Sequence, residues 1–135
     1  MIERAVPVKK LLGLAAVLEG ATGLALMIYP PMVTRLLLGE AVSGAGIALG
    51  RVGGFALIAL GLACWPDSQS SDTNTPALRA LFAYNLLATL YLAYLRLAGE
   101  SVGSLLGLAV ALHGVLTFLL ARAWFGVVRV ERVKG

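Results

Sequence analysis

The stretch that decides the fold is LLGLAAVLEGATGLALMIYPP, residues Leu11–Pro31. It is almost wholly apolar, it carries a single charged residue, Glu19, and two consecutive prolines end it. A helix needs about 20 apolar residues to cross a hydrocarbon core roughly 30 Å thick, whereas the apolar part of a signal peptide has about 7–15. The stretch therefore predicts a membrane-spanning helix with an acidic residue near its middle.

The rest of the chain repeats this apolar pattern. It has 135 residues, of which 59% are hydrophobic and 13% charged, and its mean hydropathy is +0.89. A soluble domain has about 45–50% apolar and about 25% charged residues, so the composition indicates an integral membrane protein. We predict a single domain with an all-α fold, a bundle of four transmembrane helices. The predicted spans are residues 10–29, 44–65, 76–97 and 102–124.

The segments between and after the spans differ in character. Met32–Leu38 predicts a short amphipathic helical segment in the membrane interface, ending at Gly39. Asp67–Thr75 is polar and predicts a loop, and Thr75-Pro76 has the residue types that favour a helix start. The tail Phe125–Gly135 alternates valine with charge, which is typical of a helix extension along the membrane surface.

Basic residues are distributed unequally between the two sides of the predicted bundle. Arg35 and Arg96 fall on one side. The side that holds both chain termini carries eight basic residues, Arg4, Lys9, Lys10, Arg79, Arg122, Arg129, Arg132 and Lys134. Because cytoplasmic segments are enriched in Lys and Arg, we predict that both termini lie in the cytoplasm. The net charge of +4 is then explained by orientation and anionic lipid, so the expected partner is membrane lipid and not nucleic acid.

Each predicted span carries one strongly polar residue in its interior. At about 1.5 Å per residue, Glu19, Asn85 and His113 share a depth, and Arg51 lies nearer the outer side, within reach of Glu19. A charge at mid-membrane depth costs roughly 2.5–3.5 kcal/mol, which makes it a candidate functional residue. We therefore expect a central ligand-binding pocket formed by Glu19, Arg51, Asn85, His113, Tyr84 and Tyr91.

The same residues also have purely structural interpretations. Glu19 and Arg51 equally suit a buried ion pair that fixes the helix register. An interior histidine is more often hydrogen-bonded than metal-bound, an interior asparagine often joins two helices, and interior tyrosines often pack against neighbours. Both interpretations stay open at this stage.

Glycines form a regular stripe on the second span. Gly46, Gly50 and Gly54 give the pattern GxxxGxxxG. Small residues allow two helix backbones to approach closely in a membrane. The stripe predicts either packing within one bundle or the face of a homodimer.

The residue inventory excludes several chemistries. A single histidine excludes a two-histidine haem site and the usual multi-histidine metal clusters, and a single cysteine, Cys64, excludes an internal disulfide or a redox dithiol. Cys64 itself suits either a reactive thiol or a small buried filler. No phosphate-binding glycine loop or set of nucleophile, base and acid is present. We therefore expect no metal and no resident cofactor, and the sequence assigns no reaction.

Segments along nearly the whole chain resemble a group of small uncharacterised bacterial four-span membrane proteins. The resemblance rests on Glu19–Leu26, Arg35–Gly39, Arg51–Leu57, Gly61–Pro66, Tyr84-Asn85 and His113. It implies the four-span fold and a location in the bacterial inner membrane, and no activity. In size and span count the chain is also similar to DoxX-like four-helix membrane proteins, some of which are tied to quinone-linked electron transfer. Its carboxylate in the first span resembles that of small multidrug-resistance transporters, which exchange protons for cationic drugs.

Three functions follow from these features. The first is a ligand-binding or accessory membrane protein that takes a lipophilic or quinone-like small molecule. The second is a proton-coupled small-molecule transporter in which Glu19 holds the proton. The third is a structural subunit whose polar residues only fix the helix register.

Overall fold

The computed structural model describes residues 8–66, 75–99 and 103–134 of the chain. They form five helices, in the order α1 (Val8–Ile28), α2 (Pro30–Leu38), α3 (Ala45–Ala63), α4 (Thr75–Ala98) and α5 (Leu106–Lys134). No strand occurs in these residues, so the predicted all-α class is confirmed. The predicted polar loop, up to residue 74, lies outside the described part of the chain.

Four of the helices are long and apolar enough to cross a membrane, and they match the four predicted spans. They are α1, α3, residues Pro76–Ala98 of α4 and residues Leu106–Arg129 of α5. The shortest has 19 residues, which at about 1.5 Å per residue is close to the thickness of a hydrocarbon core. The fold is therefore that of a multi-pass membrane protein.

The short helix α2 lies between the first two spans, where the amphipathic segment was predicted. Pro30 and Pro31 occupy its first turn. Proline is tolerated there because the backbone N–H that it lacks would have no acceptor within the helix. It ends at Gly39, whose φ of 88° is in the left-handed region and whose N–H donates to the carbonyl of Arg35 at 3.0 Å. The helix is confirmed, and it begins two residues earlier than the predicted segment.

Helix α5 differs from the predicted fourth span at both ends. The prediction covered residues 102–124, whereas the helix runs from Leu106 to Lys134. No proline follows Trp124, and Gly126 keeps helical backbone angles, so the hydrogen-bonded ladder continues past the apolar residues. The predicted helical extension of the tail is present as a direct continuation of α5.

The long helices pack as two close pairs, α1 with α3 and α4 with α5. Gly23 of α1 and Gly54 of α3 face each other, and Gly61 lies against the backbone of Ala16. In the other pair, the rings of Phe82 and Trp124 are 5.4 Å apart between centroids. Glycines thus let α1 and α3 approach to backbone contact, as small residues do in membrane bundles.

An apolar core lies at the end of the bundle where α1 begins, which we call the termini end. Its buried members come from α1, α4 and α5 and from the residue that follows α3. They are Leu11, Leu12, Ala15, Cys64, Ala77, Leu78, Leu81, Leu116, Leu120 and Val127. Cys64 is therefore placed as a buried core residue. The termini end joins the two helix pairs through close-packed leucines.

The opposite end, which we call the α2 end, is packed less closely. Beyond Asn85 every residue of α4 is half-buried or exposed, and so is every residue of α5 between Leu106 and Leu116. Beyond Glu19, only Gly23 of α1 is buried. On the α2 side of the polar residues, the long helices therefore bury fewer side chains than at the termini end.

Helix α2 connects the two pairs at this end. Pro30 lies against the Cα of Gly50 in α3. The carbonyl of Leu36 accepts the N–H of Leu105 at 2.9 Å, and Gly103 lies against the backbone of Leu36 and Leu37. The segment that precedes α5 is thus bonded directly to α2.

The glycine stripe of α3 is used within the chain at two of its three positions. Gly54 faces Gly23 and Gly50 faces Pro30, while a Cβ on Gly46 would meet only Val42 of the preceding turn. Gly50 and Gly54 therefore serve packing within one bundle. A homodimer through the stripe stays a prediction.

Candidate functional site

A buried carboxyl group lies near the middle of α1. Glu19 is about 16 Å along the helix from Val8, and only 1% of its surface is accessible. Its Oε1 atom accepts a hydrogen bond from Nδ2 of Asn85 at 3.1 Å, and its side chain also hydrogen-bonds with that of Tyr84. Glu19 is thus held by two residues of α4, across the boundary between the two helix pairs.

Asn85 connects three helices through its side-chain amide. Besides Glu19, its Nδ2 atom donates to the carbonyl of Leu81 at 3.0 Å, and its Oδ1 atom lies 2.7 Å from Nδ1 of His113 in α5. Asn85 is itself fully buried. One amide therefore joins the acid of α1 to the imidazole of α5.

His113 and Tyr84 form the half-buried side of this cluster. Their rings meet edge to face, with 6.0 Å between centroids. Glu19, Tyr84, Asn85 and His113 will be called the polar cluster. All four were predicted site residues, and the structure brings them together in the interior of the long helices.

Threonine hydroxyls support the cluster one turn further along the helices. The Thr89 hydroxyl donates to the carbonyl of Asn85 at 2.7 Å, and the Thr117 hydroxyl donates to that of His113 at 2.7 Å. The two hydroxyl oxygens lie 3.4 Å apart, which adds a polar contact between α4 and α5. No buried side-chain nitrogen or oxygen among the described residues lacks a hydrogen-bond partner.

Arg51 is not part of the polar cluster, and here the sequence-based expectation needs correction. Its side chain is exposed, and no ion pair joins it to Glu19 in the residues that the structure describes. The reason is rotation about the α3 axis, since Arg51 lies on one stripe with Phe55 and Leu62, which are 54% and 71% exposed. The buried stripe of α3 is the neighbouring one, with Gly54, Leu57 and Gly61.

Tyr91 is also separated from the cluster. It lies seven residues after Tyr84 on the same face of α4, but it is 62% exposed. The packing around α4 opens beyond Asn85, so the shared helix face no longer faces a neighbour at the level of Tyr91. Four of the six predicted ligand residues are therefore in one cluster, and Arg51 and Tyr91 lie outside it.

A second feature was not anticipated from the sequence. A surface groove of about 510 Å³ runs along α5, lined by Phe118, Ala121, Arg122, Phe125, Gly126 and Arg129. The guanidinium of Arg122 lies 5.8 Å from the ring centre of Phe118. The signal in the sequence is the seven-residue spacing of Phe118 from Phe125 and of Arg122 from Arg129, which places all four on one face. The groove contains no residue of the polar cluster.

The described residues contain no group of three His, Cys, Asp or Glu side chains that could hold a metal ion. The chemistry available to the polar cluster is hydrogen bonding and the exchange of protons by Glu19 and His113. Comparison with models of known protein families, with curated proteins and with solved structures finds no match.

Proposed function

We propose that this multi-pass membrane protein binds a lipophilic small molecule of quinone-like type, with the polar head of the molecule at the polar cluster. The observation that carries the proposal is the hydrogen-bonded connection Glu19–Asn85–His113, which joins three spans in the interior of an apolar bundle. Ligand pockets are mostly apolar with a few convergent polar groups that fix the orientation of the ligand. The polar cluster and its leucine surroundings have that composition.

The packing around the cluster supports the same proposal. On the termini side, the buried leucines of the apolar core block access to the cluster. On the α2 side, α4 has no buried side chain beyond Asn85, and Tyr84 and His113 are themselves half-buried. A molecule dissolved in the lipid would therefore approach from the α2 side and place its head against Tyr84 and His113.

Native mass spectrometry of the gently extracted protein tests the proposal. We expect a small lipophilic molecule to be retained by the wild-type chain and lost from Glu19→Gln, because the amide changes the acceptors that the cluster offers. The matched control is Arg51→Gln, which removes the other interior charge at an exposed position outside the cluster and is expected to retain the molecule.

Titration of the protein with a ligand of known structure tests the same proposal and does not require that a molecule is retained during extraction. A hydroquinone with a decyl tail, kept under reductant and added to the protein in micelles, should bind Arg51→Gln as it binds wild type. It should bind Glu19→Gln at least about tenfold more weakly, which is about 1.4 kcal/mol. If the two variants match wild type in both experiments, the cluster has only the structural role of fixing the helix register.

Proton-coupled transport is the second candidate function. An arginine beside Glu19 would repel a cationic substrate. Arg51 lies on another, exposed face of α3, so this obstacle to transport is absent. In vesicles with a pH gradient, uptake that depends on Glu19 would support transport. Absence of uptake for both cationic and anionic substrates would exclude it.

We further propose the bacterial inner membrane as the location, with both termini in the cytoplasm. The excess of Lys and Arg on the side of the termini supports this orientation. A reporter fused after Gly135 that is active only in the cytoplasm should be active, and one that is active only in the periplasm should be silent.

A further inference from the structure

The side-chain amide of Asn85 has only one orientation that satisfies its neighbours. One of its two polar atoms faces both the carbonyl of Leu81 and the carboxyl of Glu19. A backbone carbonyl can only accept a hydrogen bond, so this atom is the amide nitrogen, which has two hydrogens to donate. The other atom, which faces His113, is therefore the amide oxygen.

This orientation fixes where the imidazole of His113 carries its hydrogen. Oδ1 of Asn85 can only accept, and it lies 2.7 Å from Nδ1 of His113. Nδ1 therefore carries a hydrogen and donates it. In the neutral ring, which needs no counter-charge in the membrane interior, Nε2 is then an unprotonated acceptor.

Nε2 of His113 is also accessible. It has no hydrogen-bond partner among the residues that the structure describes, and every buried side-chain nitrogen or oxygen among them has one. Because His113 is only half-buried, its Nε2 atom is reachable from outside the protein. The polar cluster therefore presents an acceptor, and not a donor, to an arriving molecule.

We infer that the site selects head groups that donate a hydrogen bond, hydroxyl-bearing rings of the hydroquinone or phenol type, over rings that carry only carbonyl or ether oxygens. The inference rests on the proposed ligand-binding function and names the class of ligand within it. His113 is the specificity-determining residue, because the donor of the ligand would bond to its Nε2. Asn85 is a positioning residue, which acts by fixing the hydrogen on Nδ1.

The first test is nitrogen-15 NMR of protein labelled at histidine. His113 is the only histidine of the chain, so the spectrum contains one ring. We expect a protonated Nδ1 and an unprotonated Nε2 in wild type, and loss of this preference in Asn85→Leu. A protonated Nε2 in wild type, in the neutral ring or in the cation, would overturn the inference whether or not a ligand binds.

The second test compares three probes that share one decyl tail, a hydroquinone kept under reductant, the corresponding quinone, and the hydroquinone dimethyl ether. We expect the hydroquinone to bind at least about tenfold more tightly than either of the others. His113→Phe should remove the difference, with helix content and thermal unfolding measured to show that the variant folds, and Tyr91→Phe should keep it.

The outcomes separate the inference from the proposed function. Equal binding of the three probes to wild type would overturn the donor preference and leave ligand binding in place. Binding of none of them would overturn the proposed function together with the inference that rests on it.

Discussion

Gly23 of α1 and Gly54 of α3 face each other at backbone contact. A Cβ on Gly54 would lie 2.5 Å from the carbonyl oxygen of Gly23, and a Cβ on Gly23 would lie 2.6 Å from that of Gly54. Real Cβ atoms do not approach backbone so closely, so the helix pair depends on both residues lacking a side chain.

Gly54→Ala should therefore destabilise the bundle. The added methyl group forces α1 and α3 apart, and we expect the free energy of unfolding to fall by about 1–3 kcal/mol, as for overpacked cores. Unfolding in micelles by added SDS, followed by circular dichroism, measures the change.

The control is Gly53→Ala, one residue earlier in α3. A Cβ there would meet nothing within 4 Å. Alanine favours a helix over glycine by roughly 0.5–1 kcal/mol, so this variant should be as stable as wild type or more stable. Equal losses from both variants would contradict the close contact of α1 with α3.

Asn85→Leu should weaken the contact between the two helix pairs. The change leaves Glu19 with Tyr84 alone and leaves Nδ1 of His113 without its acceptor. We expect a loss of about 1–3 kcal/mol in the same SDS titration, because buried polar groups are left unpaired. Tyr91→Leu changes an exposed residue of the same helix and should stay within about 0.5 kcal/mol of wild type.

Glu19 and Arg51 should show no energetic coupling. Because Arg51 is exposed on another stripe of α3, a double-mutant cycle with Glu19→Gln and Arg51→Gln should give an interaction energy below about 0.5 kcal/mol. A cycle that pairs Glu19→Gln with Tyr84→Phe serves as the comparison and should give about 0.5–1.5 kcal/mol, since these side chains hydrogen-bond. If Glu19 couples more strongly to Arg51 than to Tyr84, this placement of Arg51 is contradicted and an ion pair between Glu19 and Arg51 is supported.

Gly103→Ala should release the start of α5 from α2. The new methyl group would overlap the backbone of Leu36 and Leu37, which also provides the acceptor for the N–H of Leu105. We expect faster hydrogen exchange at the amide of Leu105 in the variant than in wild type. Gly126→Ala, in open space on α5, should leave that rate unchanged.

The span arrangement could be predicted from the sequence because it follows from length and composition. The apolar run that ends at Pro30 and the one that ends at Pro66 leave little choice for the first two spans. The helix α5 continues ten residues past the predicted end of the fourth span, over the tail that was predicted as a helical extension, because hydropathy marks where a helix leaves the hydrocarbon and not where its hydrogen bonds stop.

The polar cluster could be predicted only in part. The sequence gives the depth of a residue along its helix, but it does not give the direction in which the residue points around the helix axis. Counting residues gave the common depth of Glu19, Asn85 and His113. Placing Arg51 also required knowing which stripe of α3 is buried, and that is decided by the meeting of Gly54 with Gly23 on another helix. The orientation of the Asn85 amide likewise depends on the backbone carbonyl of Leu81. Reasoning from side-chain types alone does not include this acceptor.

The length of α5 has a consequence for what projects beyond the hydrocarbon core. Its 29 residues extend about 43 Å, and fitting that length into roughly 30 Å of hydrocarbon would need an inclination of about 46°, steeper than the range of about 0–40° known for such helices. Some of the last turns therefore extend beyond the hydrocarbon core into the headgroup region, since the whole bilayer is about 40–45 Å thick. The turns around Arg129 then lie at the level of the lipid headgroups, where a basic side chain is favoured by anionic lipid.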